Sequence, residues 1–85
     1  VESILRERAD HEIDTTGLIC PEPLMVLRNK VRDVAPGETI YVVATDPSTV
    51  RDFSNYCRFL NHELVAHEED PMAGTYRFLI RKGGR

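Results

Sequence analysis

The feature that most restricts this chain is a pair of helix-spaced apolar stripes, each introduced by proline and separated by one short apolar run. From Pro21 to about Val34, Leu24, Leu27, Val31 and Val34 follow the 3-4-3 spacing of a single buried face, leaving Met25, Arg28 and Arg32 on other faces. Pro36-Gly37 ends that pattern, because proline cannot continue a helix and glycine accepts the turn. Thr39 to Thr45 alternates within an apolar run and reads as an inner strand. Asp46-Pro47 repeats the helix-start grammar, with Asp46 as N-cap and Pro47 in the first turn. Val50, Phe53, Cys57 and Leu60 then form a second buried stripe.

Three further segments read as strands: Glu12 to Thr15, His62 to His67, and Thr75 to Arg81, the last placing Tyr76, Phe78 and Ile80 on one face. The order is β-α-β-α-β-β. Helical crossovers after the first two strands require parallel pairing, while the last two can form an antiparallel hairpin. The expected fold is therefore an α+β two-layer sandwich, a mixed four-stranded sheet carrying two helices on one face. Its other face leaves Tyr41, Val43, Val65 and Leu79 as open apolar positions. Eighty-five residues hold one domain, expected over residues 11–85 behind a loosely ordered tail over residues 1–10.

Composition narrows the function classes. Apolar residues make up 41% of the chain and charged residues 29%, which excludes disorder and collagen-like repeats. Eleven basic against 14 acidic residues give a net charge of −3, a poor balance for a dedicated nucleic-acid binder. The longest apolar run, Ile40 to Ala44, is far short of the roughly 20 residues a membrane span needs. The first ten residues carry mixed charges and no segment of signal-peptide length, so a cytoplasmic location with free thiols is expected.

Cys20 is the sharpest candidate for chemistry. It follows a glycine-containing turn and stands at the expected N-cap of the first helix, where free N–H groups and the helix dipole favour a thiolate. Pro21 and Pro23 stiffen the turn that presents the sulfur, whereas the Glu22 carboxylate disfavours the anion. Cys57, between Phe53 and Leu60 on an apolar stripe, reads as a core residue. The two cysteines form no C-x-x-C pair. His11, His62 and His67 have no zinc-ligand spacing, so no metal or other cofactor is expected. Gly83-Gly84 invites comparison with ubiquitin-like carriers that load sulfur on a terminal glycine. Arg85 follows, however, and the element order differs; a flexible tail is the better reading.

The residues around Cys20 carry a resemblance. Gly17-Leu18-Ile19-Cys20-Pro21-Glu22-Pro23 resembles the G-x-x-C-P-x-P signature of the TusA/SirA-like sulfur-carrier family. Pro36-Gly37-Glu38-Thr39, Asp46-Pro47-Ser48-Thr49, Arg51-Asp52-Phe53, His62-Glu63-Leu64-Val65 and Tyr76 to Gly83 are similar to that family at the expected spacing. The resemblance runs from about His11 to Gly84.

It implies a persulfide carrier, a relay component rather than a stand-alone enzyme. Cys20 would accept sulfane sulfur from a pyridoxal-phosphate cysteine desulfurase and pass it to a downstream acceptor protein. One branch of the family ends in 2-thiolation of the wobble uridine of tRNA; others serve molybdenum-cofactor supply or sulfur oxidation. Pro21, Glu22 and Pro23 are assigned to support of the site, and Met25, Arg28, Arg32, Asp46 and Phe59 to partner binding. Met25, Arg28, Arg32 and Phe59 are out of phase with the buried stripes, and Arg28 and Arg32 form a small basic patch. The competing readings are a nucleic-acid-binding module and a purely structural interaction domain.

Overall fold

The computed structural model describes residues 7–83. Six elements follow in order: β1 (His11–Thr15), α1 (Glu22–Arg32), β2 (Thr39–Ala44), α2 (Thr49–Phe59), β3 (Glu63–Asp70) and β4 (Thr75–Arg81). They build the expected α+β architecture, with sheet order β1-β2-β4-β3. β1 and β2 are parallel, whereas β4 runs antiparallel to both β2 and β3. The crossover through α2 thus carries the chain past an empty sheet position that β4 later fills.

Both helices pack on one sheet face. Leu27 and Val31 of α1 and Phe53 and Cys57 of α2 join Ile40, Val42, Ala44, Phe78 and Ile80 in one core cluster. Period-2 alternation explains the strand contribution, since pairing of Ile40 with Ile80 and of Val42 with Phe78 aligns the apolar positions. Phe53 and Phe78 meet edge to face, their ring centroids 4.7 Å apart.

The opposite face departs from the expectation. Tyr41 and Leu79 are buried, forming a second small cluster with Ala9, Val43, Val65 and Ala66 packed against it. Part of that cover comes from the segment before β1. The Asp10 backbone N–H donates to the Thr39 carbonyl at 3.1 Å, Thr39 N–H donates to Asp10 Oδ2 at 3.0 Å, and the Thr39 hydroxyl donates to the Arg8 carbonyl at 3.2 Å. Residues 8–10 therefore clasp the start of β2. Residues 1–6 of the expected tail, and Gly84 and Arg85 of the other, lie outside the described residues.

Element limits differ for local reasons. α1 stops at Arg32 rather than Val34, which stays buried within the following turn. Pro36-Gly37 forms the next turn instead: Glu38 N–H donates to Ala35 C=O at 3.1 Å, with Gly37 at φ 90°, where a side chain would be strained. α2 begins at Thr49 with Ser48 as N-cap, two residues later than Asp46-Pro47 suggests. Leu60 lies past the end of α2 and is 53% exposed, so it drops out of the buried stripe. β3 extends to Asp70, because pairing with β4 holds its polar end in the sheet.

The core predicts a graded sensitivity. Phe53→Ala should cost about 3–5 kcal/mol by opening a cavity beneath Phe78. Cys57→Ser should cost about 1–3 kcal/mol, through a poorly satisfied buried hydroxyl. Denaturant midpoints of the two variants against the parent check both values and their order.

Candidate functional site

Cys20 lies on the loop joining β1 to α1, at the carboxyl ends of the two parallel strands. Open α/β sheets commonly place ligand chemistry at this position. The loop leaves β1 through Gly17, whose φ of 83° suits glycine. Gly17 N–H donates to Thr45 Oγ1 at 2.9 Å, which ties the loop to the equivalent loop after β2. The Cys20–Pro21 peptide bond is cis. Glu22 N–H donates to Ile19 C=O at 2.9 Å and Met25 N–H to Pro21 C=O at 3.1 Å, closing the first turn of α1.

These bonds make Pro21, not Cys20, the N-cap of α1, and no side chain caps that helix. Cys20 stands one residue outside it and is exposed. Its closest polar partners come from the other loop and helix. The Cys20 N–H donates to Asp46 Oδ2 at 2.6 Å, and Asp46 Oδ1 accepts the Ser48 N–H at 3.0 Å. The Cys20 thiol donates to Asp52 Oδ2 at 3.3 Å.

The electrostatics follow from this placement. The Asp52 carboxylate accepts the thiol's hydrogen bond and pushes Cys20 above the ordinary thiol range. The Ser48 hydroxyl opposes it by favouring the anion, while partial desolvation and the charges of Asp52 and Asp46 add to the rise. The helix-end position that the sequence suggests is taken by Pro21, and the groups that act on the Cys20 sulfur are the two carboxylates and Ser48. Cys57 is different in kind: burial alone pushes its thiol up to about 11, and only 2% of the residue is exposed.

The residues assigned to site support separate. Pro21 and Glu22 are exposed, but Pro23 is fully buried and anchors the start of α1 in the core. Among the residues assigned to partner binding, Met25, Arg28, Arg32 and Phe59 all lie on the surface, with Phe59 80% exposed. Asp46 is half-buried, and both its carboxylate oxygens are engaged by backbone N–H groups.

Arg28 and Phe59 line one groove between α1 and α2, of about 370 Å³, together with Leu24, Asp52, Tyr56 and Leu60. Asp52 belongs to this groove and also holds the Cys20 thiol, so the groove leads to the sulfur. Met25 and Arg32 line a smaller concavity with Arg28 and Asn29 along α1. Exposed Ile19, 70% accessible, stands beside Cys20 in the chain and enlarges the apolar surround.

A family model described as sulfurtransferase TusA matches residues 11–82. The chain belongs to the TusA family. That membership brings a sulfur-carrier or sulfurtransferase role, exercised in relay with other proteins. Among the described residues, no three His, Cys, Asp or Glu side chains converge as metal ligands, and no helix is long and apolar enough to cross a membrane.

Asp52 and Ser48 are the site residues that sequence reasoning missed. Ser48 sits two positions after Asp46, and Asp52 lies one turn further along α2. The i, i+4 spacing from Ser48 to Asp52 is visible in the sequence, but their approach to Cys20 depends on how α1 and α2 pack.

Asp46 makes the site sensitive to acid. The Ser48 N–H, then the Cys20 N–H, hold its carboxyl below the usual carboxylate range. A carboxyl with a depressed folded pKa contributes stability above its unfolded pKa and loses it as pH falls through the folded value. Asp46→Asn should therefore lower the thermal midpoint at neutral pH, and its gap from the parent should close below about pH 4. A gap of constant size across pH would assign the loss to shape rather than charge.

Proposed function

We propose that the protein is a sulfur carrier that holds its cargo as a persulfide on Cys20 and feeds the 2-thiolation of wobble uridine in tRNA. The observation that carries this reading is the contrast between its two cysteines. Cys20 is exposed on a stapled loop beside an open groove, while Cys57 is buried with a strongly raised pKa. A carrier needs one accessible sulfur and no second thiol able to discharge the persulfide as a disulfide.

The transfer balances without an external oxidant. The Cys20 thiolate attacks the outer sulfur of a donor persulfide, R–S–SH. A Cys20 S–S bond forms, the donor S–S bond breaks, and the departing R–S⁻ takes up a proton equivalent to the one Cys20 released. Cys20 then carries –S–SH, and an acceptor thiolate removes the outer sulfur by the same exchange. The donor is a cysteine desulfurase and the acceptor a downstream relay protein in a reducing cytoplasm. Sulfur delivery to molybdenum-cofactor assembly or sulfur oxidation is the alternative route for the same chemistry. The acidic net charge favours protein partners over direct RNA contact.

Incubation with a cysteine desulfurase and cysteine should add about 32 Da, one sulfur atom, to the intact chain. Peptide mapping should place the adduct on Cys20. Cys20→Ser should lose it and Cys57→Ser should retain it; an adduct on Cys57 would overturn the assignment.

Docking follows from the exposed surface beside the groove. Met25, Arg28, Arg32 and Phe59 contact the desulfurase, with the two arginines meeting acidic residues on it. Reversing both arginine charges should weaken donor binding and flatten its salt dependence, measured by calorimetry at two ionic strengths. Affinity that stays the same at both strengths removes these arginines from the interface.

A further inference from the structure

Asp52 and Ser48 flank the same sulfur and favour opposite charge states. The bond from the Cys20 thiol to Asp52 Oδ2, 3.3 Å long, exists only while the sulfur keeps its proton. Ser48 Oγ is buried and has no hydrogen-bond partner, so its hydroxyl is uncommitted. Asp46 brings Ser48 next to Cys20, its two carboxylate oxygens accepting the N–H of each, and the Ser48 hydroxyl there favours the anion. We infer that Asp52 and Ser48 are positioning residues that divide the states of Cys20 between them: Asp52 holds the unloaded thiol, and Ser48 donates to the sulfur once the proton has gone.

This inference rests on Cys20 as the sulfur-bearing residue. Loading removes the proton that Asp52 engages, since that proton leaves in exchange for the donor's outer sulfur. Persulfides are stronger acids than their parent thiols, so the loaded group carries negative charge at neutral pH. It cannot donate to Asp52 and is repelled by Asp46 and Asp52. Ser48 donates to the Cys20 thiolate from which transfer starts, whereas in the loaded group the charge sits on the outer sulfur, which is pushed away from the carboxylates, outward to an acceptor thiolate. Unloaded and loaded carrier thus present different surfaces from the same residues.

The remaining charged groups around the sulfur do not supply this selection. Glu22, at the start of α1, adds only negative charge. The Arg51 Nε lies 3.6 Å from Asp52 Oδ1, but its side chain is 73% exposed and reaches the carboxylate from the solvent side. Arg28 shares the groove with Asp52 but is not among the groups that shift the thiol.

The test is the pH dependence of iodoacetamide alkylation at Cys20 in the full chain, with denaturant midpoints measured on the same samples. Asp52→Asn should alkylate about threefold or more faster at neutral pH, with its profile moved to lower pH, because the thiolate is the reacting form. Ser48→Ala should move the profile the other way, and Asp52→Glu should stay near the parent. Opposite shifts cannot come from a shared loss of structure. If Asp52→Asn does not fold, raising salt from about 0.1 to 1 M should speed alkylation of the parent by screening the two carboxylates. A folded Asp52→Asn with an unchanged or slower rate overturns the inference, as does a parent rate indifferent to salt. Sulfur loading separates the two readings. If donor sulfur never reaches Cys20 in the parent, the carrier reading fails while the alkylation shifts stand. Normal loading without those shifts removes only this inference.

Discussion

One carboxylate connects everything that makes Cys20 presentable. Asp46 uses one oxygen for the Cys20 N–H and the other for the Ser48 N–H, so a single side chain joins the loop before α1 to the turn before α2. Its backbone carbonyl also accepts the Thr49 N–H at 3.0 Å and the Thr49 hydroxyl at 2.7 Å, which sets where α2 begins. The position of Asp52, and hence the hydrogen bond to the thiol, follows from that starting point. An exposed loop would ordinarily sample many conformations. Here the Asp46 bridge and the Gly17–Thr45 bond hold it to the sheet at two points.

A second carboxylate, Asp52, sets the chemistry of the sulfur. A thiolate kept permanently ionised would react with any oxidant or electrophile it met. The carboxylates beside Cys20 push its pKa up and so favour the thiol over the thiolate. Cys57 escapes reaction by another route, desolvation between Phe53 and the sheet.

Much of the fold was legible because binary pattern and turn chemistry agreed. The stripe containing Leu27 and Val31, the Pro36-Gly37 turn and the alternation of Thr75 to Arg81 each point to the element that forms. Where the reading failed, local grammar met a tertiary competitor. Asp46-Pro47 looks like a helix cap, but the Asp46 side chain is drawn to the Cys20 N–H, and Ser48 takes the cap. Tyr41 and Leu79 look open because strand alternation shows only which face they occupy; the cover contributed by Ala9 comes from a segment with no periodic signal. Cys20 could be picked out from its prolines and glycine. Its charge environment could not, because Asp52 reaches it from 32 positions away through helix packing alone.

The sheet order has a consequence for how the molecule comes into being. Among the described residues β4 is the last strand, lies between β2 and β3 and is the only strand that pairs with β3. Until residues 75–81 have left the ribosome, β3 has no strand to pair with among the described residues, and the core lacks Ile80 and the Phe78 ring against which Phe53 of α2 packs. Only the β1-α1-β2 portion can pair earlier, and it carries half a core. Folding must therefore wait for synthesis of β4, and assembly is dominated by contacts between distant parts of the chain. A nascent chain stalled before that strand would expose Cys20 and Cys57 alike. The thiol selectivity of the finished domain is thus acquired only once β4 has been made.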